Sequence, residues 1–358
     1  MKVAIIGAGL SGLACAYGLK IHGIEPVIFE KKGFLGKDYY FSTTTLRIFD
    51  RSFLSPIELL RRKYGLKISP FSPLKEITMV SDRRSTTVSG NLGFCFKRGE
   101  EQNSIEKQLA AMVNLPIQFN SYVDIDEVRY NFDYIIAATG EESIPKRLDI
   151  WTPVFNAHIR VATVLGNFKI DSAKMWVNTR YSKNCYCYLT PNSSKDARIL
   201  MVVNGITHNE LDFYWKEFLC KEKITYVITE TKDTEYTLGT VTSAAVGNVY
   251  LAGHAAGVID DFLGFGSINA IESGLLAAHA IVHRLDYNRL IKPLLDNVKR
   301  IHEFRETINS FENRDYDILL TLLGFPVIKQ FIYNNPFFKA AGLYPLIKSV
   351  NCIKRKNR

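Results

Sequence analysis

Residues 3–31 read VAIIGAGLSGLACAYGLKIHGIEPVIFEK, and this stretch decides the fold. Val3–Ile6 is a short apolar run that predicts a buried strand. Gly7, Gly9 and Gly12 follow at the G-x-G-x-x-G spacing. Leu10–Lys20 carries a helical apolar pattern, and Val27–Phe29 reads as a second strand ending at Glu30. A βαβ unit that binds a dinucleotide needs each of these parts. Gly7 allows the tight turn, Gly9 leaves room for a pyrophosphate, and Gly12 lets helix and strand pack closely. Leu10, Ser11 and Gly12 open the helix, whose free N–H groups and partial positive charge suit phosphate. Glu30 can accept both hydroxyl protons of an adenosine ribose, and Lys31 stands beside it.

Residues 248–283, NVYLAGHAAGVIDDFLGFGSINAIESGLLAAHAIVH, repeat that grammar: an apolar strand, a glycine turn, then a helix from about Ser267. Gly253, Gly257, Gly264 and Gly266 let backbone fold closely against a flat or phosphorylated ligand. The helix start at Ser267 and Ile268 can direct N–H groups at a flavin carbonyl. Two such anchors, expected one at each end of a parallel sheet, suit an extended dinucleotide such as FAD.

The chain has 358 residues and a net charge of +9, which allows two or three lobes. Met1–Lys2 leads straight into the first strand, so no leader is expected. No apolar run approaches a membrane span. The excess positive charge is not laced with a nucleic-acid motif, so no nucleic-acid partner is expected. Six scattered cysteines carry no metal-ligand spacing, which predicts free thiols, no metal and a cytoplasmic location.

Along the chain, β-rich runs at Ile77–Val80 and Thr86–Val88 flank Asp82-Arg83-Arg84 as a hairpin, and Phe94–Arg98 is a further run. Tyr134–Ala138 is a continuous apolar strand closing on Thr139-Gly140. Between 151 and 240 the pattern is again β-rich, with one helix near Glu210–Cys220. The expected fold is α/β. It has a Rossmann-like FAD-binding domain with a mostly parallel sheet in three layers, a discontinuous antiparallel-sheet substrate domain, and a helical C-terminal appendix. The FAD-binding parts are 1–66, 94–150 and 241–285; the substrate parts are the hairpin 67–93 and the sheet 151–240. Residues 286–358 form the appendix, which ends in a basic tail.

The second anchor resembles the geranylgeranyl reductase branch of the group-2 flavoproteins, relatives of para-hydroxybenzoate hydroxylase. That branch writes it approximately as GDAAG-x-x-x-P-x-x-G-x-G before a helix with S-G-x-x-A-A. Gly253, Ala255, Ala256, Gly257, Gly264, Gly266, Ser273, Gly274, Ala277 and Ala278 match. Tyr186-Cys187-Tyr188-Leu189-Thr190-Pro191 resembles the family's Y-x-W-x-F-P motif, which faces the flavin. The resemblance implies that Arg98 contacts FAD and that Tyr186 and Tyr188 orient substrate or donate a proton. The alternative reading makes the tyrosines ordinary cross-strand aromatics. In that motif Tyr186 and Pro191 match, while Tyr188 stands for Trp and Thr190 for Phe; elsewhere His254 stands for the family's ribityl-holding Asp, Asp261 for a Pro near the flavin ring, and Thr139 for the Asp of its Asp-Gly pair. Asp260 and Asp261 read either as proton-transfer groups or as turn carboxylates.

The resemblance implies an FAD-dependent oxidoreductase that reduces C=C bonds of an isoprenoid or other lipidic substrate. Electrons would come from NAD(P)H or ferredoxin. The alternatives are a flavin monooxygenase or halogenase, and a non-catalytic prenyl-lipid-binding protein on a degenerate FAD scaffold. The apolar and basic segments of 286–358 predict either peripheral membrane contact or a helical lid.

Overall fold

A computed structural model of the chain describes residues 1–36, 41–49 and 55–334. The apolar run at the start forms β1 (Val3–Ile6), every residue of it buried. It lies in the interior of the parallel sheet, and its four apolar residues are buried on both faces. Its neighbours are parallel: β2 (Val27–Phe29) on one side and β7 (Tyr134–Ala137) on the other. Beyond β2 lies β6 (Ile117–Gln118), and beyond β7 lie β14 (Val249–Leu251) and the antiparallel β13 (Ala245–Val246).

Helix α1 (Leu10–Lys20) follows β1 and packs on α5 (Ser267–His283) at close range. The contact depends on small residues. A Cβ on Gly274 would sit 2.0 Å from the Ser11 carbonyl oxygen, and one on Gly18 would sit 2.7 Å from Ala278 Cβ. Helix α2 (Pro56–Tyr64) begins at Ser55, whose side chain accepts from Glu58 N–H, and ends at Gly65 with φ +74°. Ser104 caps α3 (Ile105–Val113) in the same way.

The second sheet holds eight strands in the order β12–β8–β11–β10–β9–β4–β5–β3. These are β3 (Phe41–Leu46), β4 (Ser72–Val80), β5 (Ser85–Arg98), β8 (Trp151–Leu165), β9 (Ser172–Trp176), β10 (Cys187–Pro191), β11 (Asp196–Asn204) and β12 (Val227–Val241). The hairpin around Asp82-Arg83-Arg84 joins the later strands as the sequence predicts, but through a parallel pairing of β4 with β9. All other pairings in this sheet are antiparallel. Side chains alternate between two apolar layers. Trp176, Cys187 and Met201 face α4 (Leu211–Lys221), with Trp215 and Phe218. Tyr186, Tyr188, Leu200 and Val202 face the other way.

Helices α6 (Tyr287–Ile308) and α7 (Asn313–Gly324) bury Ile301, Phe304, Ile308 and Leu320 in a third cluster that Phe262 and Tyr186 join. The predicted helical appendix is therefore present as far as it is described. The apolar run Phe337–Leu346 and the basic tail lie outside the described residues. Among the described residues, no helix is long and apolar enough to cross a membrane.

One expectation is corrected. The two glycine anchors do not stand at opposite ends of the parallel sheet: β1 and β14 both border β7. Both turns thus leave the sheet at the carboxyl ends of nearby strands, where one ligand can reach them together.

Candidate functional site

The carboxyl ends of β1, β7 and β14 open onto a cavity of about 420 Å³ between the two sheets. Its near end is the first glycine turn. Gly7 has φ +106° and its N–H donates to the Phe29 carbonyl at 2.7 Å. A Cβ there would lie 2.3 Å from Ala138 O, and one on Gly12 would lie 1.9 Å from Gly7 O. Those two glycines let the chain cross itself. Gly9 differs: its φ is −84°, and nothing lies within 4 Å of a Cβ built on it. Its open side belongs to the cavity. The first intrahelical bond of α1 runs from Leu13 N–H to Gly9 O, so the N–H groups of Leu10, Ser11 and Gly12 have no intrahelical acceptor.

Glu30 is buried at the end of β2. Its carboxylate accepts from Ala8 N–H at 2.8 Å and from Lys32 N–H at 3.0 Å. It is held beside the glycine turn with acceptor capacity to spare. Lys31 is exposed at the cavity edge and pairs with Glu141 at 2.8 Å. That pair is solvent-exposed and adds little stability. Thr139 and Gly140 line the wall between the two turns; Gly140 has φ +70° and open space beside it.

Arg98 reaches the cavity from β5. Its Nε donates to Glu106 at 2.7 Å and its Nη1 to the Ser267 hydroxyl at 3.0 Å. Glu106 is fully buried, and no motif singles it out. An acid two residues after the Ser104 cap is the one local signal.

At the second turn, Gly253 has φ +66°, and its N–H donates to Ser273 Oγ at 2.9 Å. His254 is buried in the cavity wall, where its ring contacts two carbonyl oxygens. Nδ1 is 2.8 Å from Gly140 O, and Nε2 is 2.6 Å from Thr237 O. Carbonyls only accept, so a neutral ring donates to one of them and only a doubly protonated ring could donate to both. The ring is engaged along the wall, and the cavity runs past it from Gly7 to Tyr188.

The far end is apolar and aromatic. Tyr186 and Tyr188 line it with their rings stacked at 6.1 Å. The Tyr186 phenol donates to the Leu263 carbonyl at 2.5 Å, and burial pushes its pKa well above the ordinary value. That proton braces the turn carrying Gly264. Gly264 and Gly266 line the same end, as does Ser267 at the start of α5. Ile268 faces a small adjoining hollow, and Gly12 lies behind the turn; neither lines the main cavity. Asp261 lines the cavity, whereas Asp260 lies beneath the turn, its Oδ1 accepting from Phe262 and Leu263 N–H at 3.1 and 2.7 Å. His302 of α6, which no sequence pattern singles out, bonds Asp261 at 2.6 Å.

A family profile described as an NAD(P)-binding Rossmann-like domain matches residues 5–52. Among solved structures, a geranylgeranyl bacteriochlorophyll reductase-like protein of Thermoplasma acidophilum aligns over 98% of both chains, with a TM-score of 0.71 and 14% identity. The fold is that of the geranylgeranyl reductase-like flavoproteins. A flavoprotein/dehydrogenase from Cytophaga hutchinsonii shares this flavoprotein fold over 99% of this chain and 100% of its own, with a TM-score of 0.71 and 16% identity. The flavin-dependent halogenase CmlS aligns over 86% of this chain and 64% of its own, at 17% identity and a TM-score of 0.65. A 35-residue stretch is 60% identical to mitochondrial protoporphyrinogen oxidase of Nicotiana tabacum; it spans 10% of this chain and 7% of that protein.

The residues present fit FAD. Gly9 leaves a cradle that a side chain would fill, the first turn of α1 offers unbonded N–H groups, and Glu30 stands ready for a ribose. The two glycine turns open on one cavity long enough to be lined from Glu30 to Tyr188.

Proposed function

We propose that the protein is an FAD-dependent oxidoreductase that reduces C=C bonds of an isoprenoid or other lipidic substrate. The observation that carries the reading is one continuous cavity. It begins at a dinucleotide-binding turn and ends in an apolar chamber walled by Tyr186, Tyr188, Leu200 and Val202. Gly7, Gly9 and the N–H groups of Leu10, Ser11 and Gly12 would hold the diphosphate, with Glu30 on the adenosine ribose. Arg98, Gly253, His254, Gly264, Gly266 and Ser267 would line the flavin half. When bound, the flavin supplies hydride transfer. The protein binds the lipid chain, excludes water and holds the reacting carbons in place. A nicotinamide or an iron–sulfur protein such as ferredoxin supplies electrons, and residues 286–358 bring the protein to a membrane surface where such substrates reside.

The purified protein should be yellow or take up added FAD. After dithionite reduction, geranylgeranyl compounds should reoxidise it anaerobically and yield the saturated product. Retained FAD with no response to any polyprenyl compound rejects the substrate class. NADPH-dependent oxygenation or halogenation of a product assigns the chain to the monooxygenase chemistry instead. A colourless protein that binds prenyl lipid and refuses FAD defeats the redox reading altogether.

A further inference from the structure

We propose that Asp261 and His302 form a proton-delivery pair serving the substrate end of the cavity. The proposal rests on the C=C reduction reading above, because that reaction needs a proton as well as a hydride. Asp261 lies on the turn that lines the cavity, two residues before Leu263, whose carbonyl the Tyr186 phenol bonds. Its side chain is only 3% exposed, and Oδ2 is 2.6 Å from His302 Nδ1. Oδ1 is buried and has no hydrogen-bond partner among the described residues. A buried carboxylate oxygen without a donor is costly, and a site that keeps one needs it for a proton or a ligand.

His302 carries the path outward. Its side chain is 37% exposed, and its Nε2 is 3.8 Å from Glu306 Oε1, one turn further along α6 and 63% exposed. Three consecutive ionisable groups thus step from the chamber wall to solvent. Tyr186 does not compete for this role, because its proton is given to Leu263. The other titratable groups around Asp261 are Asp260 on the same turn and Glu306 on α6. Tyr186 and Tyr188, Lys174 of β9 and Tyr236 of β12 line the same cavity.

The step balances as follows. One alkene carbon gains hydride from reduced flavin, which is oxidised and later re-reduced by two electrons, from one nicotinamide or from two successive one-electron ferredoxin transfers. The proton shared between His302 Nδ1 and Asp261 Oδ2 moves onto the carboxyl and from there to the neighbouring carbon: the O–H bond breaks, a C–H bond forms and the π bond is consumed. The carboxylate and neutral ring left behind regain one proton from solvent through His302.

The test uses the full chain with FAD bound, comparing Asp261→Asn and His302→Gln with wild type. Both variants should keep the flavin spectrum. Single-turnover reoxidation by a geranylgeranyl compound should slow about 100-fold in Asp261→Asn. In His302→Gln it should slow less and lose its dependence on pH. Wild-type rates and pH profiles in both variants overturn the proposal. A second readout needs no turnover. The wild-type proton NMR spectrum should show a far-downfield imidazole N–H resonance that is absent in His302→Gln and displaced upfield in Asp261→Asn. An undisplaced resonance in Asp261→Asn means the pair does not form in solution, and it too overturns the proposal. If wild-type protein holds FAD but no polyprenyl compound reoxidises it, the substrate reading fails and the resonance alone judges the pair.

Discussion

Gly9 and Gly12 belong to one motif and do opposite jobs. Gly12 is needed by the fold, since a Cβ there meets the Gly7 carbonyl at 1.9 Å. Gly9 has ordinary backbone angles and no neighbour within 4 Å on its open side. Its lack of a side chain serves the ligand alone. Gly9→Ala should therefore fold with unchanged melting behaviour, checked by circular dichroism. It should bind FAD at least about tenfold more weakly by titration, a loss of ~1.4 kcal/mol. Equal loss of stability and affinity would place Gly9 with Gly12 as a structural residue. The sequence showed the spacing of the three glycines but could not divide their labour. That division depends on close contacts the spacing does not show: Gly7 meets Ala138, just past β7, Gly12 meets Gly7, and Gly9 meets nothing.

The turn between β14 and α5 is the element where sequence and structure part most. Its glycines were legible because a Gly-rich stretch before a helix has few other readings. The roles of its acids were not. Asp260 and Asp261 are adjacent in sequence, yet one caps the turn from below and the other lines the cavity. The partner of Asp261, His302, stands 41 residues away on a helix whose sequence reads as an ordinary charged face. Long strands were likewise only partly visible. β12 runs from Val227 to Val241, but most of it is the polar stretch TETKDTEYT on a sheet edge, so only its start carried an apolar signal. β5 reads as two runs because Gly90 and Gly93 interrupt it; a Cβ on Gly93 would lie 1.8 Å from Thr45 O of the neighbouring strand.

Asp260 gives this turn a pH dependence. Burial pushes its carboxyl up from the ordinary 3.8 to about 7; the charge of Asp261 adds to this, and the N–H of Leu263 opposes it. The folded protein then holds more protons than the unfolded chain between about pH 4 and 7. The contribution of Asp260 to stability therefore falls as pH rises through that window. Asp260→Asn keeps the Oδ1 acceptor for Phe262 and Leu263 while removing the titration. Urea unfolding of the two proteins should show wild type losing ground to the variant from pH 4 to pH 7. Parallel curves would show that Asp260 does not titrate in this way.

At the scale of the molecule, the cavity belongs to neither sheet. Glu30, Gly140 and Gly253 come from the parallel sheet and its loops, Tyr188 and Leu200 from the second, and His254 ties Gly140 to Thr237 across the seam. A ligand seated there binds only when both halves are folded and docked. Saturating FAD at about 100 times its Kd should stabilise the protein by ~2.7 kcal/mol and raise the melting temperature by a few degrees. Near- and far-ultraviolet signals should shift together. Separate transitions, with only one moved by FAD, would show that the ligand contacts one half alone. The two-sheet architecture was legible at the level of β-rich and α/β blocks. The joint was not, since it is made by backbone carbonyls that no residue type announces.

The order of strands also sets a timetable for biosynthesis. β14 borders β7 in the parallel sheet, although more than a hundred residues separate them in the chain. A nascent polypeptide emerging from the ribosome can build β1, α1 and β2 early, but the seat beside β7 stays vacant until the codons for Val249–Leu251 have been read. The first glycine loop must wait for more than 200 further residues, the second sheet among them, before its counterpart is made, and cofactor capture comes after both.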